Sequence, residues 1–448
     1  MWLVGGVLLL AALVATLRVG AEPEIEITSD LPGIGQRTLV TVVAREARRG
    51  PRRVRVEFIQ TERSALLEDR EIETAPTWKL WAGQAAEQTI EVPVGAAVTE
   101  GLVAGDATIR VSVWKARTWL RDPQPTVQEL ELPVRLTPPR VEILSSQHYP
   151  RQGGSEAVAY RLGEGVARHG VEAGAAFFPG YPLPGGRPGE YFALFAAPYE
   201  SSSEETIRLI ASDDVGNRTE RAFVDRLRPS EARRDTINVG DTFIQRVAPE
   251  IESHSEGLDP SLSLVERYVA INSELRVRNR REIAELALDS EPRFLWQGAF
   301  APLANGQVMA RFGDRRTYLY DGRQVDQQDH LGYDLASIKR APVPAANAGV
   351  VVMARFLGIY GNVVVIDHGY GLMSLYGHLS SFEVAAGDSV ERGQTLGRTG
   401  QTGLAGGDHL HFGVFLHGVA TDPVEWLDAD WIRNRLLAKL APVGGGTG

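Results

Sequence analysis

Apolar and polar positions alternate through much of the first half of this chain. Residues 24–28, 53–59, 89–94, 107–114 and 127–136 carry short alternating or β-branched segments, as do residues 39–44, and turn-forming stretches separate them. Period-two patterning of this kind predicts strands that bury one face each, and a series of them predicts a β-sandwich over residues 22–138. Pro138 and Pro139 close that unit as a stiff linker. The same reading continues over residues 139–228, where 191–196 and 206–211 are the clearest strands.

The pattern changes near residue 229. Asp259 followed by Pro260 offers a helix cap and a first-turn proline. Leu264, Tyr268, Ile271 and Leu275 then recur at helical spacing and form an apolar stripe. A helical connector is expected over residues 229–293, and its basic run 276–281 reads as a solvated helical face. Strand patterns return over residues 294–436, with 363–366 an apolar core segment. Residues 437–448 read as a flexible tail. The expected fold class is therefore mainly β: two sandwiches, a helical connector and a C-terminal antiparallel β domain.

Length and ends add to this picture. A chain of 448 residues allows about three domains. Residues 2–17 are apolar and uncharged, Arg18 follows, and Val19-Gly20-Ala21 offers a small-residue cleavage site. Residues 1–21 are thus expected to be a signal peptide or an inner-membrane anchor, and export to the cell envelope follows in both cases. The net charge is −10 with no long basic run, which argues against nucleic acid as a partner. Cysteine is absent, which excludes disulfides and thiolate metal sites.

Six of the nine histidines fall between His330 and His417. Histidine is the commonest metal ligand and titrates nearest neutral pH. His330 and Asp334 are four apart, with Gly332 between them, so a strand presenting both to one side is expected. His409 and His411 are two apart and share a face only on a strand, with Leu410, Phe412, Val414 and Leu416 on the buried side. Two imidazoles and one carboxylate suit zinc better than calcium or magnesium, and three protein ligands leave a fourth position for water. The Gly397–Gly407 run lacks the lysine of a phosphate loop, so no phosphate site is read there. Its small residues would let an extended peptide lie close to the backbone. His148, His169, His254 and His417 read as surface or loop residues, and His368 as a turn stabiliser.

The order HxxxD, IDHGYG, YGHL, GDxVxxGQxLGxTGxTG and HLHF resembles the M23 (LytM or lysostaphin-type) peptidoglycan endopeptidases over about residues 294–431. The resemblance implies an M23 peptidase domain, Zn²⁺ held by His330, Asp334 and His411, and catalysis by His378 and His409. It implies peptidoglycan as the substrate, with glycyl bridges and D-alanyl cross-links both open to the family, and names no protein partner. The lack of a recognisable wall-targeting repeat and the expected inner-membrane anchor favour D-alanyl cross-links. Some relatives have lost ligands and act as amidase activators or wall-binding proteins. No position of the pattern is lost here, so a zinc endopeptidase is the expectation and a non-catalytic activator the alternative. Two other readings fall away. The segment around Asp388 resembles a lipoyl-carrier hairpin but lacks the lysine that carries the cofactor, and Asp334 discriminates against a histidine phosphocarrier. The 213–217 segment resembles the turn of bacterial immunoglobulin-like modules, which gives the second sandwich its Ig-like reading.

Overall fold

The computed structural model describes residues 19–74, 86–118, 120–201, 203–231 and 233–441, with three isolated positions before residue 19. The segment expected to be a signal or anchor lies almost wholly outside the described residues, as does most of the expected tail. Among the described residues no helix is long and apolar enough to cross a membrane. The described chain divides into two compact units. The first holds residues up to 140 with the short segments 164–168 and 211–219, and the second holds the rest.

The first unit is a sandwich of two antiparallel sheets. One contains Glu24–Ser29, Thr38–Glu46 and Ala86–Val94, and the other contains Arg63–Glu71, Pro51–Gln60, Gly105–Lys115 and Thr126–Val134. Val40, Val42 and Ala44 from one sheet share a core with Val54, Val56, Ile109, Val111 and Val113 from the other. These are the inward positions of alternating strands, as the patterning requires. The 213–217 turn is closed by Asp213, whose Oδ1 accepts from the Val215 and Asn217 amides at 3.1 and 2.8 Å.

The second unit begins with a small β domain. Its inner strand Ser155–Leu162 is buried on both faces and pairs with Glu190–Ala196 and Val141–Ile143. Two histidines here depart from the surface reading. His148 is 1% exposed, with Nε2 2.9 Å from Ser145 Oγ and its ring edge-on to Phe223. His169 is half-buried, with Nδ1 2.8 Å from Tyr160 Oη. Rings from other strands and loops cover both, Phe223 for His148 and Tyr160 and Tyr191 for His169. His417, expected to be exposed, is also drawn inward. It stacks on Tyr181, and its Nε2 is buried without a partner. His254 is exposed, as read from sequence.

The connector opens with a strand, Arg234–Asn238, parallel to Asp314–Tyr320. The helix Asp241–Ser253 follows. The next helix starts at Leu264 rather than at Pro260. Asp259 closes a turn through Ser261 instead, and Ser263 with Glu266 forms the capping box. The chain then continues through a π-helical turn, Ile271–Leu275, into Arg276–Leu286. Tyr268, Ile271 and Leu275 are buried against Met353, Val363, Met373 and Leu375 of the C-terminal sheet. The basic run is not a uniformly solvated face. Arg278 and Arg281 are exposed, Arg276 and Arg280 are half-buried, and Asn279 is buried against the Gly358–Tyr360 turn.

The C-terminal part is an antiparallel sheet in the order Gln307–Ala310, Tyr333–Ala336, Leu410–Leu416, Leu372–Leu379, Asn362–Asp367, Gly349–Phe356 and Ser389–Val390. Every residue of Leu410–Leu416 is buried, on both faces of the sheet.

Candidate metal centre

His330 and Asp334 do not share one strand. His330 ends Arg323–His330, in a separate three-stranded sheet, and Asp334 lies in Tyr333–Ala336 of the main sheet. The break falls at Leu331 and Gly332. A Cβ on Gly332 would stand 2.6 Å from the His411 ring, so the close pass of the two segments requires glycine. Asp334 pairs directly with His411 across the antiparallel ladder.

The break brings three donor atoms together. His330 Nε2 lies 3.0 Å from Asp334 Oδ1 and 3.1 Å from His411 Nδ1, and His411 Nδ1 lies 2.9 Å from Asp334 Oδ1. All three side chains are buried, and they are a group that could hold a metal ion. Donors around a tetrahedral ion with bonds of about 2.0–2.1 Å stand about 3.3 Å apart. The triangle therefore fits such an ion after a shift of a few tenths of an ångström.

Groups behind the triangle orient it. The Nδ1–H of His330 donates to the Arg311 carbonyl at 3.0 Å, which leaves Nε2 for the site. Arg316 Nη2 donates to Asp334 Oδ2 at 2.8 Å, so Oδ1 faces the histidines. Burial would raise the Asp334 carboxyl, but His330, with His409 and His411, holds it well below the usual range. Burial pushes His411 down to about 4, so it stays neutral and keeps a lone pair.

Two further histidines face the same space. The Nδ1–H of His378 donates to the Thr402 carbonyl at 2.9 Å, and that of His409 donates to the Gly407 carbonyl at 2.8 Å. Each is thereby fixed with Nε2 free. His409 Nε2 is 3.6 Å from Asp334 Oδ1, and the two rings are 4.8 Å apart. Burial and the neighbouring His409 and His411 lower His378 well below its ordinary value. Burial also opposes charge on His409, but Asp334 outweighs it and raises its pKa. His378 has φ +63°, a left-handed conformation costly for a residue with a Cβ and found at functional sites. Tyr360 lies beside them, its ring 5.6 Å from His411, and burial keeps its hydroxyl protonated. A cavity of about 310 Å³ collects all five sequence-read residues and is walled also by Tyr360, Phe243, Tyr268, Arg276, Arg316 and Tyr318.

Residues 328–423, which carry this constellation, match Peptidase family M23. They form an M23 peptidase domain. The chain is 40% identical over 123 residues to the DD-carboxypeptidase/endopeptidase Mpg of Neisseria meningitidis serogroup B, covering 28% of this chain and 27% of that protein. It is 44% identical over 112 residues to the peptidoglycan DD-endopeptidase ShyA of Vibrio cholerae, covering 25% of each. It is also 38% identical over 96 residues to the murein hydrolase activator EnvC of Escherichia coli, covering 21% of this chain and 23% of that protein. The chain thus spans only about a quarter of the length of these relatives.

His368 stands outside the M23 site. It is fully buried, its Nδ1–H donates to the Ala348 carbonyl and its Nε2 meets Ser374 Oγ, both at 2.7 Å, and it braces the turn after Asn362–Asp367. Spacing did not mark Arg316, Tyr360 or Arg276. The only local signal was an uncommon one: a tyrosine between glycines in 358–361, and arginines inside otherwise alternating or helical segments.

Proposed function

We propose that this chain is a zinc-dependent endopeptidase of the bacterial envelope that hydrolyses peptide cross-links or stem peptides of peptidoglycan. The observation that carries the reading is the buried His330–Asp334–His411 triangle with two further imidazoles, each tethered at Nδ1 and lining the same cavity. The relatives named as peptidoglycan endopeptidases supply the substrate class.

Zn²⁺, held by His330, Asp334 and His411, would polarise a scissile carbonyl and acidify a bound water. The chain lacks an HExxH glutamate, so histidine does the proton work. His409, beside the Asp334 carboxylate, would take the proton of the attacking water at Nε2. His409 would then return that proton to the leaving amine, while His378, neutral and tethered by Thr402, would accept a hydrogen bond at Nε2 from the attacking water, and Tyr360 would donate to the developing oxyanion. The Thr402 and Gly407 carbonyls keep both imidazoles in the tautomer this requires.

The test is metal analysis of the purified chain together with digestion of purified peptidoglycan, products being identified by mass. Stoichiometric zinc with release of cleaved stem peptides is expected. A metal-free chain that cuts nothing but stimulates a separate amidase would replace this reading with the activator one.

A further inference from the structure

The cavity beside the M23 site is not closed by M23 residues alone. One wall comes from the connector, where Asn238, Phe243, Tyr268 and Arg276 face the histidines. Arg276 stands immediately after the π-helical turn Ile271–Leu275. Such turns are uncommon and recur where a helix must present a side chain to a functional site.

The bracing of Arg276 is unusual for a half-buried guanidinium. Its Nε and Nη2 donate to the carbonyl and the side-chain oxygen of Asn272, at 2.9 and 2.5 Å. Asn272 is fully buried and donates in turn to Asp326 at 2.7 Å. Ser273 fastens the same carboxylate at 2.9 Å. Among the described residues Arg276 has no acidic partner of its own. A neutral amide therefore aims the guanidinium while leaving its charge uncompensated and Nη1 unused. Arg316 lines the same cavity. The one carboxylate in the lining is Asp334, and its oxygens already meet His330, His411 and Arg316.

The cavity thus carries a surplus of positive charge before any metal is added. A substrate that brought only neutral peptide groups would strip water from Arg276 and return no charged partner. We infer that Arg276 is a carboxylate-recognising subsite, taking a free carboxylate of the substrate peptide near the scissile bond. This deepens the endopeptidase reading and rests on it. Stem peptides fit because they carry free carboxylates on γ-linked and terminal D-residues. The guanidinium supplies two N–H groups in one plane, the geometry that matches a carboxylate.

The experiment uses the zinc-loaded full chain and two substrates. One is a cross-linked stem-peptide dimer with free carboxylates, and the other is the same dimer with those carboxylates amidated. The acid is expected to show a KM about 10–100-fold lower than the amide, the size of a charge-assisted hydrogen bond. In Arg276→Gln the acid-to-amide ratio of kcat/KM should collapse toward one, and Arg276→Lys should recover part of it. Equal kcat/KM for acid and amide in the unaltered protein overturns the subsite while leaving the peptidase reading intact. A full preference retained in Arg276→Gln overturns the assignment to this residue. Cleavage of neither dimer by the zinc-loaded chain overturns both readings.

Discussion

The side-chain oxygen of Asn279 accepts a hydrogen bond from the backbone N–H of Ile359 at 3.0 Å, across 80 positions of sequence. Asn279 belongs to the connector helix, and Ile359 to the turn that carries Tyr360. A Cβ on Gly358 would stand 2.3 Å from the Asn279 amide, so the two segments are in direct contact. Asn279→Ala would leave a buried N–H unsatisfied, at a cost of about 1–3 kcal/mol. A lowered melting temperature is expected, with a loss in kcat exceeding any rise in KM as Tyr360 loses its support. Unchanged melting and turnover would show that the turn holds its shape without the connector.

Removal of a metal donor should empty the site without unfolding the first sandwich. His330→Ala, Asp334→Ala and His411→Ala are each expected to lose zinc and hydrolysis together, as is the unaltered protein treated with a chelator. Metal analysis and circular dichroism on the same samples check this. Full zinc content in the His411 variant would remove it from the ligand set.

The two tethered histidines should separate metal binding from turnover. His378→Ala and His409→Ala are expected to keep zinc and to lose about 10²–10⁴-fold in kcat, the usual scale of positioned proton transfer. Single-turnover assays on metal-matched protein measure it. Near-normal turnover in one of them would assign the proton work to the other alone.

Stability should narrow from both sides of neutrality. Burial pushes the Glu425 carboxyl up to about 8 from 4.5, against the hydrogen bond from the Ser155 amide. An acid raised in the folded state contributes stability that is complete below 4.5 and is lost as pH rises through 8. Burial lowers His368 and His417 to about 4 from 6.5. These contribute stability that is complete above 6.5 and is lost as pH falls toward 4. Each unit of difference corresponds to about 1.4 kcal/mol. Glu425→Gln should therefore gain melting temperature on the wild type at about pH 9 and gain little at about pH 5. A difference that does not vary with pH would show that Glu425 is not protonated in the fold.

Much of this protein was written locally. The β-branched run 39–44 and the alternation in 53–59 foretold strands whose inner residues meet in one core, because strand propensity and a strand's two-residue period are displayed directly in sequence. Short fixed spacings marked His330, Asp334, His409 and His411, while His378 and the choice of donor set came from the resemblance to the M23 peptidases. What spacing could not show was how separate segments meet. His330 and Asp334 looked like one strand, yet the chain breaks between them because the His411 ring, from a strand far along the sequence, needs the space at Gly332. His148 and His417 looked exposed, but burial is set by what other segments pack around a side chain. The connector looked like a link with a solvated basic face. Packing of Tyr268, Ile271 and Leu275 onto the C-terminal sheet turned it into a wall of the cavity and placed Arg276 beside the histidines. Local periodicity thus decided the elements, the motif resemblance named the donor set, and long-range packing decided where the elements break, which groups lose water and which charges face the cavity.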